Sequence, residues 1–573
     1  MNADRLFALY DRVADAPDAV DRLRRFVLDL SVRGKLVEQD PADEPASELL
    51  KRIAAEKARL LKAREIRKPG VFAPLDENGF PFSLPTGWEW AQIAQLGVVS
   101  PRNEAPDDHK ASFVPMRLIS AEYGAGHQHE TRPWADIRKG YTHFAEGDVG
   151  LAKITPCFEN GKSTVFRNLT GGVGSGTTEL HVVRPLFVTA DYIVLFLKCS
   201  HFIETGILRM TGTAGQKRVP TEYFTSSPFP LPPLAEQRRI VAKVDELMVL
   251  CDRLEETRNA REDTRDRLSR ASLARLTATD TDARTFRSHA QFAVNAVPAL
   301  TARADQVKLL RQTILSLAVR GKLAAQDPQE GSGRDVHARI TSAHPSSQRS
   351  ESGLKAIDGM YPLPSSWTWA SLGQAIVAGP RNGLSPRPSA REDAPRAVTL
   401  TATTSGIFDG SHFKRVDADI GPDSDYWLQP NDLLFQRGNT PEYVGMAAIY
   451  DGPPGAFIFP DLMIRVRLSP EVNLRFAHIF CLSPAARSYF SENATGAQKT
   501  MPKINQAILR ALPIPLPPLA EQHRIVAKVD AVMALCERME AGLAATDGTR
   551  SHLLDSLLHE SLGSHEAHDQ REG

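Results

Sequence analysis

Arginine followed by asparagine occurs at Arg102-Asn103 and again at Arg381-Asn382, each time shortly after a tryptophan-bearing LPxxWxW stretch. Glutamine followed by lysine occurs at Gln216-Lys217, with Arg218 next, and again at Gln498-Lys499, with Lys503 close behind. Between these pairs lie Lys153, Thr155, Asn160 and Lys162 in the first half of the chain, and Arg437 and Asn439 in the second. An arginine fork can bond guanine O6 and N7 together, and an Asn or Gln amide can do so at adenine N6 and N7. Each such pair contributes about 1–3 kcal/mol of discrimination. A lysine on a turn instead holds a phosphate and fixes register without reading sequence. Taken singly, each side chain fits a solvated loop as well as a base contact. Recurrence of Arg-Asn and Gln-Lys at matched positions is what lifts those pairs above that background.

Other chemistry is missing from the sequence. Gly161-Lys162-Ser163 has Pro156 where a phosphate-cradling loop needs its earlier glycine, so it is no P-loop. The run Gly171-Gly172-Val173-Gly174-Ser175-Gly176 precedes a strand-like segment, Glu179 to Val183, and reads as a flexible β-turn. No NPPY-type or DPPY-type adenine-methylating tetrapeptide occurs. His127 and His129 lack a third ligand at a useful spacing, so they read as loop residues. Pro460-Asp461 opens like a metal-dependent nuclease motif, but the acid-x-lysine does not follow. No catalytic residue and no metal site is assigned.

The elements that must position the polar pairs are written twice. Residues 228–255 and 513–540 agree at 21 of 28 positions, at an offset of 285. VRGKL recurs at Val32–Leu36 and Val319–Leu323, and LPTGWEW at Leu84–Trp90 answers LPSSWTW at Leu363–Trp369. The matches keep their order, which makes the chain a tandem duplication and a pseudo-dimer rather than a solenoid. Each copy reads as helix, linker, variable globular segment and long helix. Val27 and Leu30 belong to the first stripe, Ile314 and Leu317 to its counterpart. Ile240, Val244 and Leu247 are answered by Ile525, Val529 and Val532. This 3-4 spacing suits a seam against a partner helix. Each closing helix starts sharply after a Pro-Pro pair. From Pro233 to about Leu276 the central one spans roughly 65 Å.

The variable segments mix short strand-like runs, such as Phe113–Ile119, Leu180–Val183, Ala447–Tyr450 and Met463–Leu468, with Gly/Pro/Asn/Asp turns. The expected fold is mixed α/β: two globular domains joined by long antiparallel helices in a pseudo-twofold tandem repeat. Expected boundaries are 1–83 helical, 84–230 first globular domain, 231–362 spacer helices and linkers, 363–515 second globular domain, and 516–573 closing helix and tail. Gly331 to Gly359 reads as a polar linker where copy one has a charged helix, Ala46 to Lys68. Thr277 to Ala302 joins the copies.

Composition narrows the class. The 573 residues carry 69 Lys plus Arg and 69 Asp plus Glu, which argues against coating nucleic acid by bulk charge and against a polybasic membrane binder. Five separated cysteines without a CxxC pair fit reduced thiols. The charged N-terminus is no signal peptide and no apolar run spans a bilayer, so a cytoplasmic protein without membrane contact is expected.

The paired PLPPLAEQxRIVAKVD blocks, the VRGKL helices, LPxxWxW and KITPCFENGK (Lys153–Lys162) closely resemble the specificity subunit of type I restriction–modification systems. The resemblance runs through nearly the whole chain. It implies two target-recognition domains, each reading one half of a split double-stranded DNA site, with the helical regions docking two modification subunits that methylate adenine N6. Restriction subunits would join the same assembly. S-adenosylmethionine, ATP and Mg²⁺ would then belong to those partners, and this chain would bind no cofactor. The second domain has Asp432-Leu433-Leu434-Phe435-Gln436-Arg437-Gly438-Asn439 where the first has Asp148-Val149-Gly150-Leu151-Ala152-Lys153-Ile154-Thr155, which implies unlike half-sites. The rival reading is a self-contained nuclease or methyltransferase with an unrecognised site.

Overall fold

Apolar residues at helical spacing, set off by Pro-Pro starts, produce the long elements of the chain. A computed structural model of the protein describes residues 15–66, 75, 80–213, 215–278, 282–343, 361–495 and 501–563. Its main helices are α1 (Ala19–Val32), α2 (Ala46–Lys62), α3 (Leu234–Thr277), α4 (Ala283–Leu300), α5 (Ala304–Val319), α6 (Gly333–Ala343) and α7 (Leu519–Gly563). The chain divides into two units, Met1–Ala260 with Asp547–Gly573, and Arg261–Thr546. Both long helices therefore start in one unit and end in the other.

In the first unit, Val27, Ile240 and Val244 are buried in one core with Trp88, Phe196 and Phe229 of the globular domain. The end of α7 belongs here too: Leu554 and Leu557 are buried with Ala16 and Ala19, and Arg22 binds Asp555 at 2.9 Å. In the second unit, Ile525 and Val529 share a core with Trp367, Phe476 and Phe480. Ile314 packs with Val307 and Cys536, and Leu317 with Leu273 and Leu276 at the end of α3 and Ala293 of α4. Leu30, Leu247 and Val532 are half-buried. Most of the stripe expected to face partner helices is thus used inside the chain.

Charged pairs repeat with the sequence. Arg24 on α1 binds Glu255 on α3 at 2.6 Å, and Arg311 on α5 binds Glu540 on α7 at 2.7 Å. Arg239 pairs with Asp43, and Arg524 with Glu330. The PLPPLAEQ block works through its last two side chains, which are buried in both copies. Gln237 donates to the Pro232 carbonyl (2.9 Å) and accepts from the Thr189 amide (2.9 Å). Gln522 does the same with Pro517 (3.0 Å) and Asn473 (2.8 Å). These bonds clamp the start of each long helix to its globular domain.

Each globular domain contains the same antiparallel sheet. In the first the order is Gly97–Val99, Leu180–Pro185, Val149–Ala152, Ser163–Val165; in the second it is Ile376–Asn382, Met463–Leu468, Leu433–Gln436, Ala447–Ile449. A two-stranded ribbon closes each domain at its entrance, pairing Trp90 with Pro230 and Trp369 with Pro515. The other sheet differs. The first domain has four strands, one pair parallel; the second has three, all antiparallel. Expected strands at 180–183, 447–450 and 463–468 are present, whereas Phe113–Ile119 is strand only to Val114, followed by a 3-10 turn over Met116–Leu118.

The linker expected from Gly331 to Gly359 is corrected by α6. Ser332 and Asp335 hold one another across its first turn, and Val336 and Ile340, one turn apart, are both buried. The segment stands where α2 stands in copy one, with Leu49 and Ile53 likewise buried. Copy two therefore keeps a shorter version of that helix. Gly333 disguises it. A Cβ there would lie 2.0 Å from the Leu516 carbonyl oxygen, so only glycine lets the helix start this close to the ribbon. The connection between copies holds α4, capped by the Asp282 carboxylate on the amides of Arg284 and Thr285. The rest of the expected linker lies outside the described residues.

Candidate nucleic-acid interface

The common sheet delivers the polar loops to one end of each domain. Strand Val149–Ala152 runs directly into Lys153, and strand Leu433–Gln436 into Arg437. Just beyond, the backbone is gripped by a second loop. The Thr155 amide donates to the Lys217 carbonyl (3.0 Å) and the Val219 amide to the Lys153 carbonyl (2.8 Å). In the second domain the Ile504 amide donates to the Arg437 carbonyl (2.8 Å), and Gly438 bridges to Lys503. Thr211 pairs with Arg218 and Thr495 with Lys503, closing each second loop on itself. Lys153, Thr155, Gln216, Lys217 and Arg218 are thereby brought together, as are Arg437, Asn439 and Lys503. Gln498 and Lys499 lie outside the described residues.

Their side chains are used differently. Gln216, Lys217, Lys503 and Arg102 are exposed, and none forms an ion pair among the described residues. Arg218 spends its guanidinium on Glu179, with three contacts of 2.8–3.1 Å, and so braces the loop that carries Lys217. Thr155 donates to Glu159 (3.2 Å), and Lys162 turns to the Met116 carbonyl (3.3 Å); Asn160 is exposed. Arg437 donates to the Asp461 carbonyl, and the Asn439 amide to Gln436 Oε1.

The two Arg-Asn pairs part company. Asn103 uses its whole amide inside the domain: Nδ2 donates to the Phe144 carbonyl (2.7 Å) and Oδ1 accepts from Arg184 (2.8 Å). Asn382 accepts from Gln506 (3.2 Å). Arg102 is exposed and forms no hydrogen bond or ion pair with another described residue. Arg381 donates from NH1 to Asp425 Oδ2 at 3.0 Å and stacks 4.3 Å from the Tyr426 ring.

One pair shared by both sites escaped the sequence reading. Buried Asp148 accepts from Nε and NH2 of Arg184 (2.8 and 2.9 Å), and buried Asp432 from Nε of Arg467 (2.5 Å). Each ties the strand leading into the Lys153 or Arg437 loop to its sheet neighbour. Burial pushes the Asp148 carboxyl up, against the pull of Arg184. The signal was an aspartate one residue before the same strand in each copy. Glu179, Asp425 and Tyr426 had no such signal. His181 and His478 are also buried, donating to the Val219 and Ala447 carbonyls (3.1 Å each), and burial lowers both to about 4.

The His127–His129 stretch is committed to the backbone and to Thr170. Among the described residues no group of three His, Cys, Asp or Glu is placed to hold a metal, and no helix is long and apolar enough to cross a membrane. A cleft of about 980 Å³ in the first unit is lined by Asp21, Glu122, Glu159, Asp252 and Glu255, among others. Its acidic side chains outnumber the basic ones that also line it, Arg24, Arg25 and Lys198.

Residues 391–545 match a family described as the type I restriction modification DNA specificity domain. The chain is 36% identical over 558 residues to the type I restriction enzyme EcoEI specificity subunit of Escherichia coli, covering 95% of this chain and 94% of that one. It is 35% identical to the EcoAI specificity subunit of Escherichia coli, covering 94% and 93%. A chain solved in work on complex assembly and conformational transition of the type I R-M system has a like fold, with a TM-score of 0.52 and 18% identity, over 84% of this chain and 99% of that one.

Proposed function

The chain belongs to the specificity subunits of type I restriction–modification systems, and from that premise we propose how its parts divide the reading of DNA. Each globular domain reads one half of a bipartite, asymmetric double-stranded site, through the loops at the end of its common sheet. Lys153, Lys217 and Arg102 serve the first half-site, with Gln216 beside them. Arg381, Arg437, Asn439 and Lys503 serve the second. The observation that carries this reading is one sheet and one pair of interlocked loops built twice, with different side chains mounted on them. A repeated frame with unlike readers suits two unlike half-sites, with phosphate contacts fixing register and base contacts choosing sequence.

In this reading the chain is not itself an enzyme. It works in the cytoplasm and binds no cofactor. The helical regions dock two modification subunits, which use S-adenosylmethionine to methylate adenine N6, and restriction subunits that use ATP and Mg²⁺. Since the apolar stripe is largely buried within the chain, docking would use the outer, polar faces of the helices. The test is to exchange residues 84–230 for those of another family member and map adenine methylation in cells carrying the partner subunits. One half of the methylated motif should change while the other and the gap stay. A change in both halves, or in neither, would overturn the modular reading.

A further inference from the structure

The second reading domain contains a charge cluster that the first lacks. Arg381 lies on the edge strand Ile376–Asn382 and is paired in register with Arg465 on Met463–Leu468. Arg465 has 1% of its side chain exposed, and in the first domain the apolar Val182 lies in the matching core. Arg465 NH2 stands 4.0 Å from Asp425 Oδ2, the same oxygen that accepts from Arg381 at 3.0 Å. Its NH1 stands 3.9 Å from Asp432, which is itself buried and bound to Arg467. Asp425 is thus held between an inner guanidinium and an outer one, while its neighbour Tyr426 lies under the outer one.

Stability does not account for this arrangement. Arg381 is 39% and Asp425 60% exposed, and ion pairs of that kind contribute about 0–1 kcal/mol. What the cluster does is fix a plane. The carboxylate sets the rotation of the Arg381 guanidinium within its plane, and the ring sets its tilt. Among the described residues, Arg381 Nε and NH2 donate to no protein group, so two donors of a rigid fork remain for a ligand. Arg102, at the matched place in the first domain, has no carboxylate and no ring against it among the described residues.

We propose that Arg381 reads a guanine in the second half-site, with Asp425 and Tyr426 as positioning residues that hold its fork ready for O6 and N7. This rests on the reading of each domain as the reader of one half-site. Bidentate recognition needs a planar donor pair at one orientation, and a fork already held there loses little freedom on binding. Arg102, which no described residue orients, holds a phosphate instead.

The test uses the full complex of this chain with its modification subunits, reading methylation over a library randomised in the second half-site. Arg381→Lys keeps the charge and loses the fork; it should cut discrimination at one guanine position about 10- to 100-fold. Tyr426→Leu and Asp425→Asn should loosen the same position, whereas Tyr426→Phe, which keeps the ring, should not. The first half-site acts as the internal control for folding in every variant. Discrimination retained everywhere by Arg381→Lys overturns the proposal, as does a second half-site without guanine. A uniform loss of affinity in Arg381→Ala with a shallower salt dependence makes Arg381 a phosphate contact and overturns it too. Exchanging residues 363–515 separates the levels. If the exchange changes one half of the motif and Arg381→Lys loosens nothing, only this inference fails. If the exchange changes nothing, the domain reading fails with it.

Discussion

His181 and His478 sit in the two domains as neutral, buried donors, each giving its Nε2 proton to a backbone carbonyl. Burial holds both near 4 instead of the ordinary 6.5, so the unfolded chain takes up protons that the folded chain refuses. Their contribution to stability is therefore full above about pH 6.5 and is lost as pH falls toward 4. At about 1.4 kcal/mol per pH unit, that is on the order of 3 kcal/mol for each domain. Thermal melting between pH 4 and 7 should show this loss, and His181→Gln, which keeps a donor for the Val219 carbonyl but does not titrate, should flatten part of it. A variant that melts with the parent's pH slope would refute the assignment. None of this was legible in the sequence, because neither histidine stands in a motif. What was legible were the paired Arg-Asn and Gln-Lys positions. The sequence could not tell that Asn103 is consumed by Phe144 and Arg184 while Arg102 stays exposed, since burial is decided by strands far away in the chain.

Elements were read more reliably than residues wherever periodicity was strong. The 44 residues of α3 follow the expected span almost to the residue. The helix α6 was hidden because Gly333 and the polar residues around it read as linker, and only the contact with the Leu516 carbonyl explains that glycine. The structure also sharpens where a test of the long helices belongs. Asp252 and Glu255 bind Arg24 within the first unit, and Glu262 and Asp266 bind Arg303 within the second. Four residues inserted after Ala260, with four more after Thr546 to keep α7 in step, leave both sets of pairs intact. Each insertion adds about 6 Å of helix. At about 3.4 Å per base pair, the gap between half-sites should lengthen by one or two. Methylome sequencing with an unchanged gap would refute the view of these helices as a ruler.

At the scale of the molecule, the equality of 69 basic and 69 acidic residues has become more informative. The first reading segment, 85–228, holds 14 of each sign, and the second, 363–513, holds 14 basic and 13 acidic. The single basic stretch, Lys51 to Lys68, carries eight against two, yet four of the eight are engaged within the chain by α2. Lys51 binds Glu48, Arg52 binds Glu44, Arg59 binds Glu56, and Lys57 turns inward to the Ala94 carbonyl. On the proposed reading, DNA is held mainly by the exposed cations of the reading loops. Affinity from counterion release grows with the phosphates neutralised, and the log–log salt slope is about 0.9 per phosphate. A handful of free cations gives the isolated chain weak binding and a slope of roughly four or five. Addition of the modification subunits should then raise affinity and steepen that slope without altering which sequence is chosen. A salt titration on a cognate duplex, with and without those subunits, measures both quantities. Tight binding by the chain alone, with a slope as steep as that of the complex, would mean that this subunit supplies the clamp as well as the choice.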